Sequence, residues 1–142
     1  MQKFNELVEV VIAELQKRWE HALPQEKFTI SLESDRLNVS FTGGRKQQIV
    51  VKRRRASYTL TSNVLQRAKV EELGRSNILR AIWTRNRSSR LVGFRLDKSG
   101  KVVGYIEHQA ESLDPSDLAY CIEVLARECD RLEFVLSGED IH

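Results

Sequence analysis

The first 22 residues show the hydrophobic period of an amphipathic α-helix. Large apolar residues follow one another at spacings of four or three, which places them on one stripe of a helix: Phe4, Val8, Val11, Leu15 and Trp19. Most of the charged residues between them fall outside this stripe. Pro24 lacks a backbone N–H and ends the pattern, so the sequence predicts a helix over residues 2–22.

After this segment the period changes from 3.6 to 2, which indicates strands with one buried face. The apolar residues that alternate with polar ones are Phe28, Ile30 and Leu32, and then Leu37, Val39 and Phe41. Gly43 and Gly44 make the next turn, "QQIVV" opens a third strand and "SYTLTSNVL" makes a fourth. Because every connection is short, the four strands are predicted to form an antiparallel meander.

The segment "SNILRAIWTRNRSS" returns to a helical pattern after Gly74. Its apolar face consists of Ile78, Leu79, Ile82 and Trp83, and the arginines that fall largely off this face are Arg80, Arg85 and Arg87. The next two segments, "RLVGFRLD" and "KVVGYIEH", predict a hairpin closed by "DKSG", in which Gly100 supplies the left-handed residue. Gly93 and Gly104 lie near the strand centres, where glycine allows another element to approach closely.

A last helix has clear start and stop signals. Asp114 is a good N-cap, Pro115 suits the first helical position, and Gly138 is the expected C-cap glycine. The apolar repeat between them is Leu118, Ile122, Leu125, Cys129, Leu132 and Leu136. We therefore predict one α+β domain over residues 1–142, an antiparallel β-sheet (meander plus hairpin) with helices packed on one side, in the order α-β-β-β-β-α-β-β-α.

Cysteine usage and hydropathy restrict the compartment. The longest apolar run is four or five residues, whereas a membrane-spanning helix needs about 20, so no membrane association is predicted. Cys121 and Cys129 lie eight residues apart on the last helix, a separation of about 12 Å that is too long for a disulfide. Two unpaired thiols indicate a reducing compartment, and we predict a cytoplasmic protein in which both cysteines are small core residues.

The net charge of +3 conceals a strong asymmetry along the chain. Residues 43–101 hold 16 basic and 3 acidic side chains, a net charge of +13, whereas residues 102–142 hold 2 basic and 10 acidic ones, a net charge of −8. Such polarity either attracts charged partners or is neutralised when the two segments pack together or a dimer forms.

No catalytic or cofactor motif accompanies this charge. The three histidines, His21, His108 and His142, are scattered, and no spacing rule joins His108 to Cys121 as a thiol–imidazole pair. Metal-binding spacings are absent from the sequence, and "GFRLDKSGK" matches a hairpin better than a phosphate-binding loop. We predict no catalytic residue, no metal and no cofactor.

The densest basic cluster is Lys52, Arg53, Arg54 and Arg55, between two strand-like runs. Side chains alternate along a strand, so one buried face cannot place all four charges in water. We expect the strand to leave the core near Val51 or Lys52, at least two charges to escape the sheet, and the charges to straddle the turn at Ala56–Ser57.

Three interpretations of this basic cluster remain open. It is a solvated hairpin end, a patch for an acidic protein surface (including the acidic C-terminal helix of this or another subunit), or a nucleic-acid contact. The nucleic-acid interpretation is not favoured, because no RNA-binding aromatic strand, helix-turn-helix or zinc motif accompanies the cluster.

The C-terminal half resembles the YbjN-like proteins, whose fold is related to that of type III secretion chaperones. The matching features are a helix that ends in a polar turn at Asn86, a hairpin with a turn from Asp97 to Gly100, and an amphipathic helix after Asp114–Pro115. The order of helix and meander in the N-terminal half also agrees. The resemblance implies a small α+β homodimer that binds other proteins and has no known catalytic role.

These observations predict a non-enzymatic protein-binding or chaperone-like domain that acts as a homodimer, with a protein partner that the sequence does not identify. The alternative is a nucleic-acid-associated regulatory protein that uses the basic segment 45–95.

Overall fold

Ten elements make up the described part of the chain. The computed structural model describes residues 2–18, 28–33, 36–41, 45–109 and 114–137. The elements are α1 Gln2–Arg18, β1 Phe28–Glu33, β2 Arg36–Phe41, β3 Lys46–Arg54, β4 Ser57–Leu65, α2 Arg67–Leu73, α3 Arg75–Ser88, β5 Gly93–Leu96, β6 Val102–Gln109 and α4 Pro115–Ser137.

The six strands form one antiparallel sheet in the order β1-β2-β3-β4-β6-β5. The register places apolar residues opposite one another on the same face, as in the pairs Leu37–Ile49 and Leu60–Ile106. The predicted α+β class, the antiparallel sheet and the placement of the helices on one side are confirmed.

The core lies between this face and the helices. α4 packs across β3, β4 and β6, α1 packs on α4, and α3 packs against β5. The fully buried large side chains are Val11, Leu15, Leu37, Ile49, Leu60, Ile78, Phe94, Ile106, Leu118, Ile122 and Leu125. Because strand side chains alternate, every second residue of each strand points away from the helices, toward the opposite side of the sheet, here called the open face.

The first helix is confirmed as far as it is described. α1 reaches Arg18, and Val11 and Leu15 of the predicted stripe are buried. The side chains of Phe4 and Val8, and all of Trp19 and Pro24, lie outside the described residues.

One short helix was not predicted from the sequence. α2 occupies the segment between the sheet and Gly74, where the sequence analysis expected the sheet region to end and α3 to begin. Only Val70 of its seven residues is buried, so it carries no repeating apolar pattern that a sequence could reveal. Gly74 separates α2 from α3 with a φ of 96°, a backbone conformation that side chains rarely adopt.

The predicted turn and cap signals are confirmed where they are described. The Asp97 N–H donates to the Lys101 carbonyl oxygen (2.8 Å) in the β5–β6 turn, where Gly100 has a φ of 89°. The Asp117 N–H donates to the Asp114 carboxylate (2.8 Å), as expected of an N-cap. Gly138 lies outside the described residues.

Asn86 ties the end of α3 to the edge strand β5. Its side-chain amide donates to the Phe94 carbonyl oxygen and its carbonyl oxygen accepts from the Phe94 N–H, both at 2.9 Å. These are backbone groups of an edge strand that a further strand could otherwise use. The Asn86 side chain therefore covers this point of the β5 edge.

Candidate functional site

Helix α3 carries an apolar surface that the rest of the described chain does not cover. Ile78 and Ile82 are buried against the core, but Leu79 is 45% exposed and Trp83 is 62% exposed. Leu79 and Trp83 are four residues apart and so lie side by side on the helix. We call these two residues the α3 patch. The sequence analysis placed all four on one apolar face, and the structure divides that face into a buried half and an exposed half.

Arginines surround the α3 patch. The Arg87 guanidinium lies 4.8 Å from the centre of the Trp83 ring, a cation–π distance. Arg80 is exposed beside it, and Leu91, which follows the helix, is 38% exposed. A large aromatic ring that is held by one cation and is otherwise open to solvent is typical of a binding surface.

The basic cluster lies at the tip of the β3–β4 hairpin. The ladder continues past the core through the pairs Arg53–Tyr58 and Arg54–Ser57, which leaves a loop of two residues, Arg55 and Ala56. The expectation that at least two charges escape the sheet, straddling a turn at Ala56–Ser57, was wrong. Pairing between β3 and β4 continues beyond the last core residue as far as Arg54 and Ser57. Lys52, Arg53 and Arg54 therefore remain part of the strand.

Lys52, Arg53 and Arg55 are all exposed; we call these three residues the hairpin tip. The side chain of Arg54 lies outside what the structure describes. Within the described part of the chain, no carboxylate pairs with any residue of the hairpin tip. The only ring contact seen there is that of Arg53, whose guanidinium lies 5.7 Å from the centre of the Tyr58 ring.

Arg55 has an unusual backbone conformation. Its φ is 48°, the only positive φ of a non-glycine residue in the described ranges. This region suits Gly, Asn or Asp, and other side chains adopt it at a cost of about 1 kcal/mol. An arginine therefore occupies a loop position where glycine has the lower backbone strain.

Two other basic residues of the middle segment are neutralised by α4. Arg45 lies 3.3 Å from the Asp130 carboxylate, and Arg85 donates to Glu128 at 2.7 Å. These ion pairs join the +13 segment to the −8 segment. Internal neutralisation, one of the two outcomes expected from the charge pattern, occurs at Arg45 and Arg85 and not at the hairpin tip.

The open face of the sheet is polar. Its described side chains include exposed cations and one exposed carboxylate: Arg36, Lys46, Lys52, Arg95 and Glu107. Arg36 donates to Gln48 (2.8 Å), and Gln48 donates to Asn38 (3.0 Å). The Arg95 guanidinium lies 4.6 Å from the centre of the Tyr105 ring, so this ring face is occupied. The sequence analysis did not select Tyr105 or Arg95, although the alternation along β5 and β6 places both on this face.

The cysteines do not form a reactive site. Both thiols are free and buried, as predicted for small core residues. Burial, with a smaller contribution from the Asp117 carboxylate, raises the pKa of Cys121, and burial raises the pKa of Cys129 strongly. A nucleophilic cysteine needs a lowered pKa, so neither thiol suits that role. His108 instead contacts the Gln109 carbonyl oxygen through Nδ1 (2.9 Å).

A polar cavity of about 370 Å³ opens between β3, the end of β4 and α4. Gln47 on its wall donates to Glu133 (2.8 Å) and accepts from the Ser62 hydroxyl (2.9 Å). The titratable side chains described on the cavity wall are Lys46, Lys69 and Glu133. Among the described residues, no three His, Cys, Asp or Glu side chains come close enough to hold a metal ion.

Among the described helices, none is both long and apolar enough to cross a membrane. No family model matches the sequence, and no curated protein matches it significantly.

Solved structures do share the fold. The ExsC–ExsE complex aligns with a TM-score of 0.55 and 21% identity over 91% of this chain and 92% of that chain. The heterodimeric ExoU–SpcU complex from the type III secretion system of Pseudomonas aeruginosa aligns with a TM-score of 0.54 and 17% identity over 89% and 98%. The chain thus has a fold like that of type III secretion chaperones. The secretion-chaperone-like fold predicted from the sequence is confirmed, whereas the YbjN-like assignment stays a prediction.

Proposed function

We propose that the chain is a non-enzymatic, chaperone-like protein-binding domain that acts as a homodimer. The observation that carries the proposal is the α3 patch, an exposed tryptophan and leucine on a helix that has only two buried residues. The shared fold supports it, because the two solved structures described above are complexes between two proteins.

A second copy of the chain is the occupant we propose for the α3 patch. Burying a large apolar side chain contributes about 1.5–3 kcal/mol, and a two-fold interface contains each residue twice. Leu79 and Trp83 therefore supply four such side chains to a symmetric interface. Leu91 extends the apolar surface at the end of the helix.

The rest of the proposal concerns the class and setting of the protein. We propose that residues 1–142 form a single domain of the YbjN-like type and that it works in the cytoplasm. The two free, buried thiols support a reducing compartment.

Light scattering coupled to gel filtration tests the dimer. We expect twice the chain mass of 16.4 kDa for the wild type and a monomer for the Leu79→Ser/Trp83→Ser variant. The matched control is Val10→Ser/Val135→Ser, because these residues are also exposed and apolar but lie on α1 and α4. A monomeric wild type, or a dimer that survives the α3 substitutions, contradicts the proposed interface.

Affinity purification tests the protein-binding role. The tagged chain, expressed in its own host and crosslinked in the cell, should retain a stoichiometric protein partner. Recovery of the chain without any stoichiometric protein partner contradicts a chaperone-like role.

A further inference from the structure

The hairpin tip lies on a different part of the molecule from the α3 patch and has different chemistry. Its three described cations project from the end of β3 and from the loop that follows it. At two places carboxylates of α4 pair with basic side chains of the middle segment, as Asp130 does with Arg45 and Glu128 does with Arg85. No described carboxylate does so at the hairpin tip. Its charge is available to an external anion.

The surface next to the hairpin tip extends the same chemistry. Lys52 belongs to the open face, and Thr59 and Glu107 follow it across β4 and β6. Arg36 lies on the neighbouring strand β2, opposite Val50 of β3. Neighbouring strands lie about 4.8 Å apart, and alternate residues about 7 Å apart along a strand, so Arg36 is a near neighbour of Lys52. Val50 lies between these two cations on the open face, and the neighbouring side chains on that face include those of Thr59 and Gln48.

The backbone of Arg55 adds a second, independent observation. A glycine would adopt a φ of 48° with less strain, and yet the position holds a long cationic side chain at the outermost point of the hairpin. Local strain retained without a packing reason points to a functional use of the side chain.

The two tyrosines near these cations argue against nucleic-acid binding. Single-stranded nucleic acids bind through bases that stack on aromatic side chains as well as through phosphates. Arg53 occupies a face of the Tyr58 ring, and Arg95 occupies a face of the Tyr105 ring. The hydroxyl and amide groups of the open face suit a polypeptide backbone.

We infer that the hairpin tip and the adjoining part of the open face bind an acidic segment of the protein partner, an extended stretch rich in Asp and Glu. This inference rests on the proposed protein-binding function and names the chemistry of the partner. Complementary charge makes association faster and more selective, and it makes the affinity depend on salt.

Fluorescence anisotropy on the full chain tests the inference. The probe is a short labelled peptide in which Asp and Glu alternate with Gly and Ser, and a peptide with Asn and Gln at the acidic positions is its neutral control. We expect the acidic peptide to bind at low salt with an affinity that falls as the salt concentration rises. The neutral peptide should not bind.

Two matched variants locate the binding surface. Lys52→Gln/Arg55→Gln removes two exposed cations from the hairpin tip, and Arg75→Gln/Lys98→Gln removes one exposed cation from the start of α3 and one from the β5–β6 turn. We expect the first variant to bind the acidic peptide with an affinity roughly fivefold lower than that of the wild type. The second variant should change this affinity by less than about twofold. Circular dichroism confirms that both variants are folded.

Three results would overturn the inference: no binding of the acidic peptide at low salt, an equal loss in both variants, or tighter binding of a single-stranded RNA of equal length. If RNA binds more tightly and the Lys52→Gln/Arg55→Gln variant has a lower affinity for that RNA, the surface is a nucleic-acid-binding site. A negative result with the acidic peptide would not contradict the proposed function. That function is tested by light scattering on the α3 variants and by purification of the protein partner, and neither measurement uses the peptide.

Discussion

The Cys129 thiol of α4 packs directly against Gly104 at the middle of β6. A Cβ atom at position 104 would overlap the Cys129 sulfur and would also lie 3.1 Å from the Phe94 ring. Gly104 lies on the face of β6 that packs against the helices. Its neighbours on that face, Val102 and Ile106, are buried in the core. The glycine thus sets how closely α4 approaches the sheet.

Replacing Gly104 with alanine should therefore destabilise the protein. We expect Gly104→Ala to lower the free energy of unfolding by about 1–3 kcal/mol, because a well-packed core accommodates an extra methyl group only by shifting α4. Urea unfolding followed by circular dichroism measures this change. Adding Cys129→Ala should recover part of the loss by removing the overlapping sulfur.

Gly93→Ala is the matched control for this substitution. Its Cβ would approach the Tyr105 ring (2.6 Å), but this ring is only half-buried on the open face and can turn away. The loss should be smaller than for Gly104→Ala. Equal losses at both positions would show that the approach of α4 is not the cause.

Substituting Asn86 should loosen the β5 edge. Asn86→Ala removes both hydrogen bonds to the Phe94 backbone, and we expect a loss of about 1–3 kcal/mol together with faster exchange of the Phe94 amide hydrogen. Asn77→Ala is the control, because Asn77 makes one exposed side-chain bond to the Leu73 carbonyl oxygen. An unchanged Phe94 exchange rate in Asn86→Ala would contradict this role.

The buried cysteines should make stability fall at alkaline pH. Both have a raised pKa in the folded state, so above the ordinary thiol pKa of 9.0 the unfolded chain ionises while the folded chain holds its protons. The unfolded state then binds fewer protons, and the free energy of unfolding decreases as pH rises. The contribution is fully present below pH 9.0 and is lost above it.

The Cys121→Ala/Cys129→Ala variant separates this effect from other titrating groups. Measured against pH, its free energy of unfolding should decline less steeply above pH 9 than that of the wild type. Each thiol contributes a slope of up to about 1.4 kcal/mol per pH unit. Identical slopes would show that the thiols ionise equally in both states.

The hairpin loop offers a stabilising substitution. Arg55→Gly should raise the free energy of unfolding by about 0.5–1 kcal/mol, because glycine adopts the observed φ of 48° without strain. Ala56→Gly is the control at the adjacent loop position, which has no positive φ, and it should be neutral or destabilising. A destabilised Arg55→Gly variant would show that the arginine contributes to folding and is not kept for an external partner.

The sequence by itself determined every described element except α2. Local periodicity predicted α1, α3 and α4 and the pairing of β1 with β2 and β5 with β6, because an amphipathic stripe or an alternating strand repeats within a few residues. Single residues with strong local preferences, Asp114 and Gly100, marked a helix start and a turn. The secretion-chaperone-like fold was predicted from a resemblance to a known family, carried by the features at Asn86, at Asp97 to Gly100 and at Asp114–Pro115.

Only the tertiary structure decided which apolar and charged residues lack a partner. Leu79 and Trp83 follow the same helical pattern as Ile78 and Ile82, and their exposure depends on where α3 lies against β5. Arg45 and Arg85 pair with carboxylates of α4 that are far away in sequence, whereas no described carboxylate pairs with the hairpin tip. Burial and charge pairing depend on the packing of distant elements, and a period of two or 3.6 residues contains no information about that packing.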